Sequence, residues 1–211
     1  VNSGQVCTSI ERVYVFRNIA DRFTESLVEE SKKVKLGDPM DKDTDIGPMA
    51  SKAQLKNTVE KVALAKEQGA RILIGGHRPK EFARGYFFSP TIFDRVRPDM
   101  EIVTEESFSP VIPVQKVDSL DEAIKMSNAT KYGLGCTIFT RDIERAMNAA
   151  DKIKSGTVCI NSPLMENIAA PFGGMKQSGI GREHGIEALD EFREAKHIYI
   201  DYEHSKKSWW F

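Results

Sequence analysis

No stretch of this 211-residue sequence approaches the roughly 18 consecutive apolar residues that span a bilayer. The N-terminus also lacks the basic region and apolar run of a secretory leader, so a soluble, cytoplasmic protein without membrane contact is expected. Cysteine is scarce. Cys7, Cys136 and Cys159 are odd in number, far apart and form no Cys-x-x-Cys pair, which argues against a disulfide framework or a zinc knuckle and for a reducing compartment. His77, His184, His197 and His204 fall in no ligand-like spacing, so no metal site is expected. Charge of one sign is missing too: 30 lysines and arginines face 31 acidic residues, a balance that gives no reason to expect nucleic acid as a partner. The chain opens at Val1 rather than methionine, directly on Asn2-Ser3-Gly4-Gln5, and reads as a piece of something longer.

The sequence does hold an alternation of strand and helix patterns. Residues 11–16 have strand composition, and 18–35 carry apolar residues at helical spacing, closed by Gly37-Asp38-Pro39. A second amphipathic helix is bounded by Ser51 as N-cap and Gly69 as stop. Strands are expected at 70–74, around Thr91-Ile92-Phe93 and at 111–117, the last interrupted by Pro113 and so placed near an edge or irregular. Helices at 119–128 and 142–153 alternate with strands at 134–140 and 156–160. This pattern predicts a three-layer α/β fold, a mostly parallel sheet with flanking helices. One domain is expected over 1–194, followed by a tail over 195–211. After a helix at 182–194, residues 197–201 read as a lone strand with exposed Trp209-Trp210-Phe211 beyond it, suited either to oligomerisation or to the edge of its own sheet.

Cys7 lies in the small, polar run Gly4-Gln5-Val6-Cys7-Thr8-Ser9 just ahead of the first strand. A nucleophilic thiolate needs such a place, exposed and closely approached by backbone N–H groups. Local sequence leaves the alternative open, since a free cysteine more often packs as a small apolar residue. Cys136 and Cys159, in apolar strand-like runs, fit that packing role.

Gly4-Gln5-Val6-Cys7 resembles the nucleophile motif of the aldehyde dehydrogenase family. Glu105-Glu106-Ser107-Phe108-Ser109-Pro110-Val111 is similar to that family's Glu-Glu-x-Phe-Gly-Pro-Val segment, and residues 171–179 (Pro-Phe-Gly-Gly-Met-Lys-Gln-Ser-Gly) to its Pro-Phe-Gly-Gly-x-Lys-x-Ser-Gly segment. Gly47-Pro48-Met49 and Tyr132-Gly133-Leu134 fit further family positions in the right order. The resemblance covers essentially the whole chain and is greatest to the branch acting on lactaldehyde and glycolaldehyde.

The resemblance implies that Cys7 attacks a small aldehyde, and that the thioester left after hydride transfer to NAD or NADP is hydrolysed. It implies cofactor contacts from Glu106, whose carboxylate suits a ribose diol, from Phe108 beside the nicotinamide, and from Gln54. Without the family match, Glu106 reads as a solvated turn residue, Phe108 as core and Gln54 as surface. Ser109 departs from the family's glycine and puts the register of Glu106 and Phe108 in doubt. Thr8, Glu166 and Phe172 are the expected substrate wall, Glu166 suited to a hydroxyaldehyde or a cationic aldehyde and equally readable as a solvated loop residue. The family's cofactor domain, general-base glutamate and oxyanion asparagine lie ahead of the nucleophile, where this sequence has almost nothing. The chain alone is thus expected to be inactive, and the full-length protein a homodimer or homotetramer. Two other readings stay open: a non-catalytic oligomerisation module, and a cysteine esterase that binds no NAD. Gly179-Ile180-Gly181-Arg182-Glu183-His184-Gly185 superficially suggests a dinucleotide fingerprint but follows no strand, and is read as a tight turn into a helix.

Overall fold

A computed structural model of the chain describes residues 1–163 and 167–202. Strand β1 (Val13–Phe16) runs straight into helix α1 (Arg17–Lys32); α2 (Lys52–Glu67), β2 (Arg71–Ile74), β3 (Thr91–Asp94) and the short α3 (Glu101–Thr104) follow. Then come β4 (Val111–Val117), α4 (Leu120–Asn128), β5 (Gly135–Ile138), α5 (Ile143–Lys152), β6 (Thr157–Ile160) and the single turn α6 (Glu187–Asp190). Three helix starts are fixed by side chains that accept otherwise orphaned N–H groups: Ser51 from Gln54, Ser119 from Glu122 and Asp142 from Arg145. Each cap contributes about 1 kcal/mol. Gly69, at φ +101°, turns the chain out of α2 as the sequence predicts.

The main sheet has the order β1-β4-β3-β2, and β5 pairs with β6 in a second sheet. Both neighbours of β4 run parallel to it, as do β5 and β6, while β2 is antiparallel to β3. Successive residues of β3 point to opposite faces. Phe93 packs with Met49, Leu55, Val62 and Met100 on the α2 side, and Ile92 packs with Val15, Ala20, Val114 and Leu27 on the α1 side. The sheet is therefore covered on both faces by helices, and the expected mixed α/β architecture stands.

Two expectations are corrected. Pro113 is fully buried in the central strand rather than at an edge. It is tolerated there because β4 changes neighbour at that point: its pairs with β3 end at Phe93–Pro113 and its pairs with β1 begin at Val13–Val114. The helix expected over 182–194 shrinks to α6. His184 and Gly185 hold left-handed backbone at φ +60° and +64°, and Ile186, Leu189 and Phe192 stay exposed, so no packed face supports further turns. Residues 197–201 join neither sheet, and Ile198, Tyr199 and Ile200 are 60–71% exposed. Within this chain the segment is not a strand on the edge of either sheet; pairing with a neighbouring subunit stays an expectation. Trp209-Trp210-Phe211 lie outside the described residues.

Candidate active site

The segment ahead of Cys7 is a tight turn, Asn2–Gly4, whose three residues all carry positive φ. Left-handed backbone at Asn2 and Ser3 costs on the order of 1 kcal/mol or more each, and the turn is held by what surrounds it. The Ser3 hydroxyl donates to Gly47 O at 2.7 Å, and Gln5 Oε1 accepts from Ala50 N at 2.8 Å. Ser3 and Gln5 are buried. Gly4 lies so close to the Ser109 carbonyl that a Cβ there would overlap it. The nucleophile motif, the Gly47-Pro48-Met49 segment and the 105–110 loop thus meet in one place. Ser9 N donates to Val6 O at 2.9 Å, closing a turn that presents Cys7 on the surface, with Thr8 half-buried beside it. Cys7 does not serve as core packing.

The 105–110 loop is gripped by its backbone. Glu11, just before β1, accepts from Ser107 N at 2.7 Å and from Phe108 N at 2.9 Å with its two carboxylate oxygens. From α2, the Gln54 amide donates to Ser107 O at 3.0 Å and Phe108 O at 2.7 Å, and Lys61 Nζ donates to Glu106 O at 2.7 Å. Gln54 sits on α2 because Ser51 caps it, and its donor is committed to placing the loop. Phe108 is held at φ +49°, half-buried, and the Glu106 carboxylate lies on the surface with no hydrogen bond or ion pair among the described residues. Partial desolvation and the nearby Glu11 carboxylate raise the Glu106 pKa, against the pull of Lys61. Ser109 is buried with an unpartnered hydroxyl, yet the grip of Glu11 and Gln54 keeps the loop in register.

Its neighbour Glu105 faces away and binds Lys131 at 2.7 Å, which lowers the Glu105 pKa, with the Tyr132 hydroxyl donating to the same carboxylate. Lys131 opens a second assembly. Ser178 Oγ accepts from Gly133 N at 2.8 Å, Met175 N donates to Gly133 O at 2.7 Å, and the Gly173 carbonyl packs against Gly156 where no Cβ would fit. The Tyr132-Gly133-Leu134 and 171–179 motifs are therefore one docked unit. Phe172 bridges Glu183 across a short antiparallel contact, its ring 6.2 Å from that of His184. Its group joins the Cys7 group through the Glu105–Lys131 pair. Glu166 lies outside the described residues. Among the described residues no cluster suits a metal ion, and no helix is long and apolar enough to cross a membrane.

Sequence reasoning missed Glu11, Lys61 and Lys131. Glu11 meets its partners 96 and 97 residues downstream, and nothing local distinguishes it from a solvated glutamate. The three cysteines are expected to separate under limiting iodoacetamide. Cys7 is exposed, whereas Cys136 and Cys159 are half-buried and burial pushes the Cys136 thiol pKa up. Peptide mass spectrometry should find Cys7 carbamidomethylated first; equal labelling of all three would contradict the placement of Cys7.

Comparison with known proteins bears on this arrangement. The model of the aldehyde dehydrogenase family matches residues 1–198. Betaine aldehyde dehydrogenases of Brucella anthropi and Mesorhizobium japonicum are each 42% identical over 202 residues, 95% of this chain and 42% of theirs. The crystal structure of betaine aldehyde dehydrogenase from Staphylococcus aureus in complex with NAD+ superposes with a TM-score of 0.94 at 39% identity, covering 100% of this chain and 42% of that one. An aldehyde dehydrogenase mutant from Bacillus cereus superposes at 0.90 with 42% identity, over 94% of this chain and 40% of that one. The chain thus spans about two-fifths of the length of these relatives. With the motif order, the converging loops and the match over 198 residues in agreement, the chain belongs to the aldehyde dehydrogenase family.

Proposed function

We propose that these residues form the catalytic-domain portion of an NAD(P)-dependent aldehyde dehydrogenase acting on a small polar aldehyde. The observation that carries this reading is the convergence of the Cys7 turn on the 105–110 loop, with Gly4 against Ser109 and Glu106 left unpaired beside them. The Cys7 thiolate adds to the aldehyde carbon, and its turn holds the sulfur at the surface where a substrate reaches it. Bound NAD(P)+ supplies the hydride acceptor. Glu106 offers paired acceptors to a ribose diol and Phe108 an apolar face, while Gln54 serves that site by holding both in place. Attack of water on the Cys7 thioester releases the carboxylate and restores the thiolate. The base for that water and the asparagine for the oxyanion are assigned to residues outside this chain. We assign Thr8 and Phe172 to the substrate wall; Glu166, outside the described residues, keeps that role as the sequence motif implies it. The relatives' names point to betaine aldehyde, and the sequence motifs to lactaldehyde or glycolaldehyde; both are small and polar. Exposed apolar residues Ile186, Leu189, Phe192, Ile198 and Ile200 support homo-oligomerisation of the full-length enzyme.

4-Nitrophenyl acetate tests the nucleophile. One equivalent of nitrophenolate should be displaced by Cys7, leaving an acetyl thioester visible by intact mass and absent from Cys7→Ser. Acetylation elsewhere would remove Cys7 from its role, and sustained turnover without cofactor would favour an esterase. Sustained NADH formation by the 211 residues alone, from glycolaldehyde or betaine aldehyde, would overturn the assignment of the base and the oxyanion asparagine to other residues.

The adjacent glutamates give a pH signature. With Glu106 raised and Glu105 lowered from the ordinary value of 4.5, carboxyl NMR shifts should show Glu106 protonating above that value and Glu105 below it as pH falls. The Glu105–Lys131 link is therefore fully present above 4.5 and lost as pH drops through the lower folded-state value. Glu106 is the opposite case: its charge is disfavoured by folding, and its grip on a diol weakens first on acidification. Coincident midpoints would contradict this.

A further inference from the structure

A cavity of about 200 Å³ opens beside β1 and β4, walled by Arg12, Tyr14, Val103, Glu105, Gln115 and Lys131. That volume is enough for a small organic molecule. Gln115 is the telling residue. It is only 3% exposed, lines this cavity, and has no hydrogen-bond partner on either Oε1 or Nε2. A buried amide with both ends unsatisfied is costly and uncommon in a native interior.

The sheet brings the other groups to it. Gln115 pairs with Tyr14 in the parallel register of β1 and β4, so the two side chains are neighbours on one face, and Arg12 precedes Tyr14 by two residues along the same side. The Arg12 guanidinium donates to Val103 O at 3.2 Å and also interacts with the Tyr14 hydroxyl, leaving further donors in its five-donor fork, and among the described residues it has no carboxylate partner. Tyr14 donates to Met126 O at 3.3 Å, and the pull of Arg12 on the burial-raised Tyr14 hydroxyl places the guanidinium next to that oxygen. Lys131 and Glu105 neutralise each other at 2.7 Å. The cavity therefore holds one positive charge without a carboxylate partner and, closed into its wall beside the apolar surfaces of Val103 and Met126, one amide with neither end hydrogen-bonded.

We propose that this cavity binds a small hydroxycarboxylate, its carboxylate against Arg12 and Gln115 Nε2 and its hydroxyl donating to Gln115 Oε1. No residue of the Cys7 turn lines the cavity, and the inference does not depend on the function proposed above.

Titration calorimetry with glycolate, acetate and glycolamide tests it on the wild-type protein. Glycolate should bind saturably, acetate roughly tenfold more weakly for want of the hydroxyl, and glycolamide not measurably for want of the charge. Gln115→Met, which conserves volume, should weaken glycolate about tenfold while leaving thermal melting of the free protein unchanged or higher, since it removes an unsatisfied amide. Arg12→Gln should abolish binding of glycolate and acetate alike. Wild-type protein alkylated at Cys7 should bind glycolate as before, which separates this cavity from any substrate site. Absence of saturable binding, equal binding of glycolamide, loss of binding on Cys7 alkylation, or a glycolate-soaked crystal showing water alone in the cavity would each overturn the proposal.

Discussion

Alanine at Glu11 is expected to destabilise the protein by about 3 kcal/mol and to release the 105–110 loop. The carboxylate accepts from two backbone N–H groups, Ser107 and Phe108, and Ser107 is 2% exposed, so no water replaces the lost acceptor there. A buried donor left without a partner costs about 1–3 kcal/mol, and bonds to an ionised acceptor lie toward the upper end. Glu11→Gln keeps one acceptor oxygen and should fall between wild type and alanine. Urea denaturation gives the stability change, and amide exchange at Ser107 and Phe108 gives its location. If both amides keep wild-type protection in Glu11→Ala, Glu11 is not what holds the loop.

Alanine at Gly4 is expected to lose on the order of 2–4 kcal/mol, for two reasons that act together. The residue sits at φ +73°, where an L side chain is strained, and the new Cβ would overlap the carbonyl of Ser109. The obstacle is backbone, which does not swing aside as a flexible side chain does. Relief requires the Cys7 turn and the 105–110 loop to part, so the rate of Cys7 acetylation should change along with the melting temperature. Gly135, which has open space where its Cβ would be, is the control: alanine there should be tolerated. Equal melting of the two variants would remove the case for close approach.

These variants also mark what the sequence makes legible and what it hides. Helix starts at Ser51, Ser119 and Asp142 were readable because a cap bonds to a backbone group three residues on. The strand-helix alternation was readable for the same reason, being local. Pro113 misled because the rule that keeps proline from central strands assumes one neighbour on each side along the whole strand, and β4 exchanges partners at that residue. The stretch 182–194 misled because its apolar spacing predicts a helix that needs a surface to pack on. In the site, Cys7, Glu106, Phe108 and Phe172 came from motifs. The role of Glu11 and Lys61 in holding the 105–110 loop is not readable from the sequence, because their work is done on backbone atoms 45 or more residues away.

That last fact has an evolutionary side. Glu11, Gln54 and Lys61 hydrogen-bond the peptide groups of residues 106–108 and none of their side chains, although Glu11 and Lys61 also act on the Glu106 charge. The route of the loop and the chemistry it displays are thus specified by separate residues. Side chains at 106 and 108 are open to exchange on a track that stays put, so what the loop displays can change by single substitutions there without the loop being redesigned.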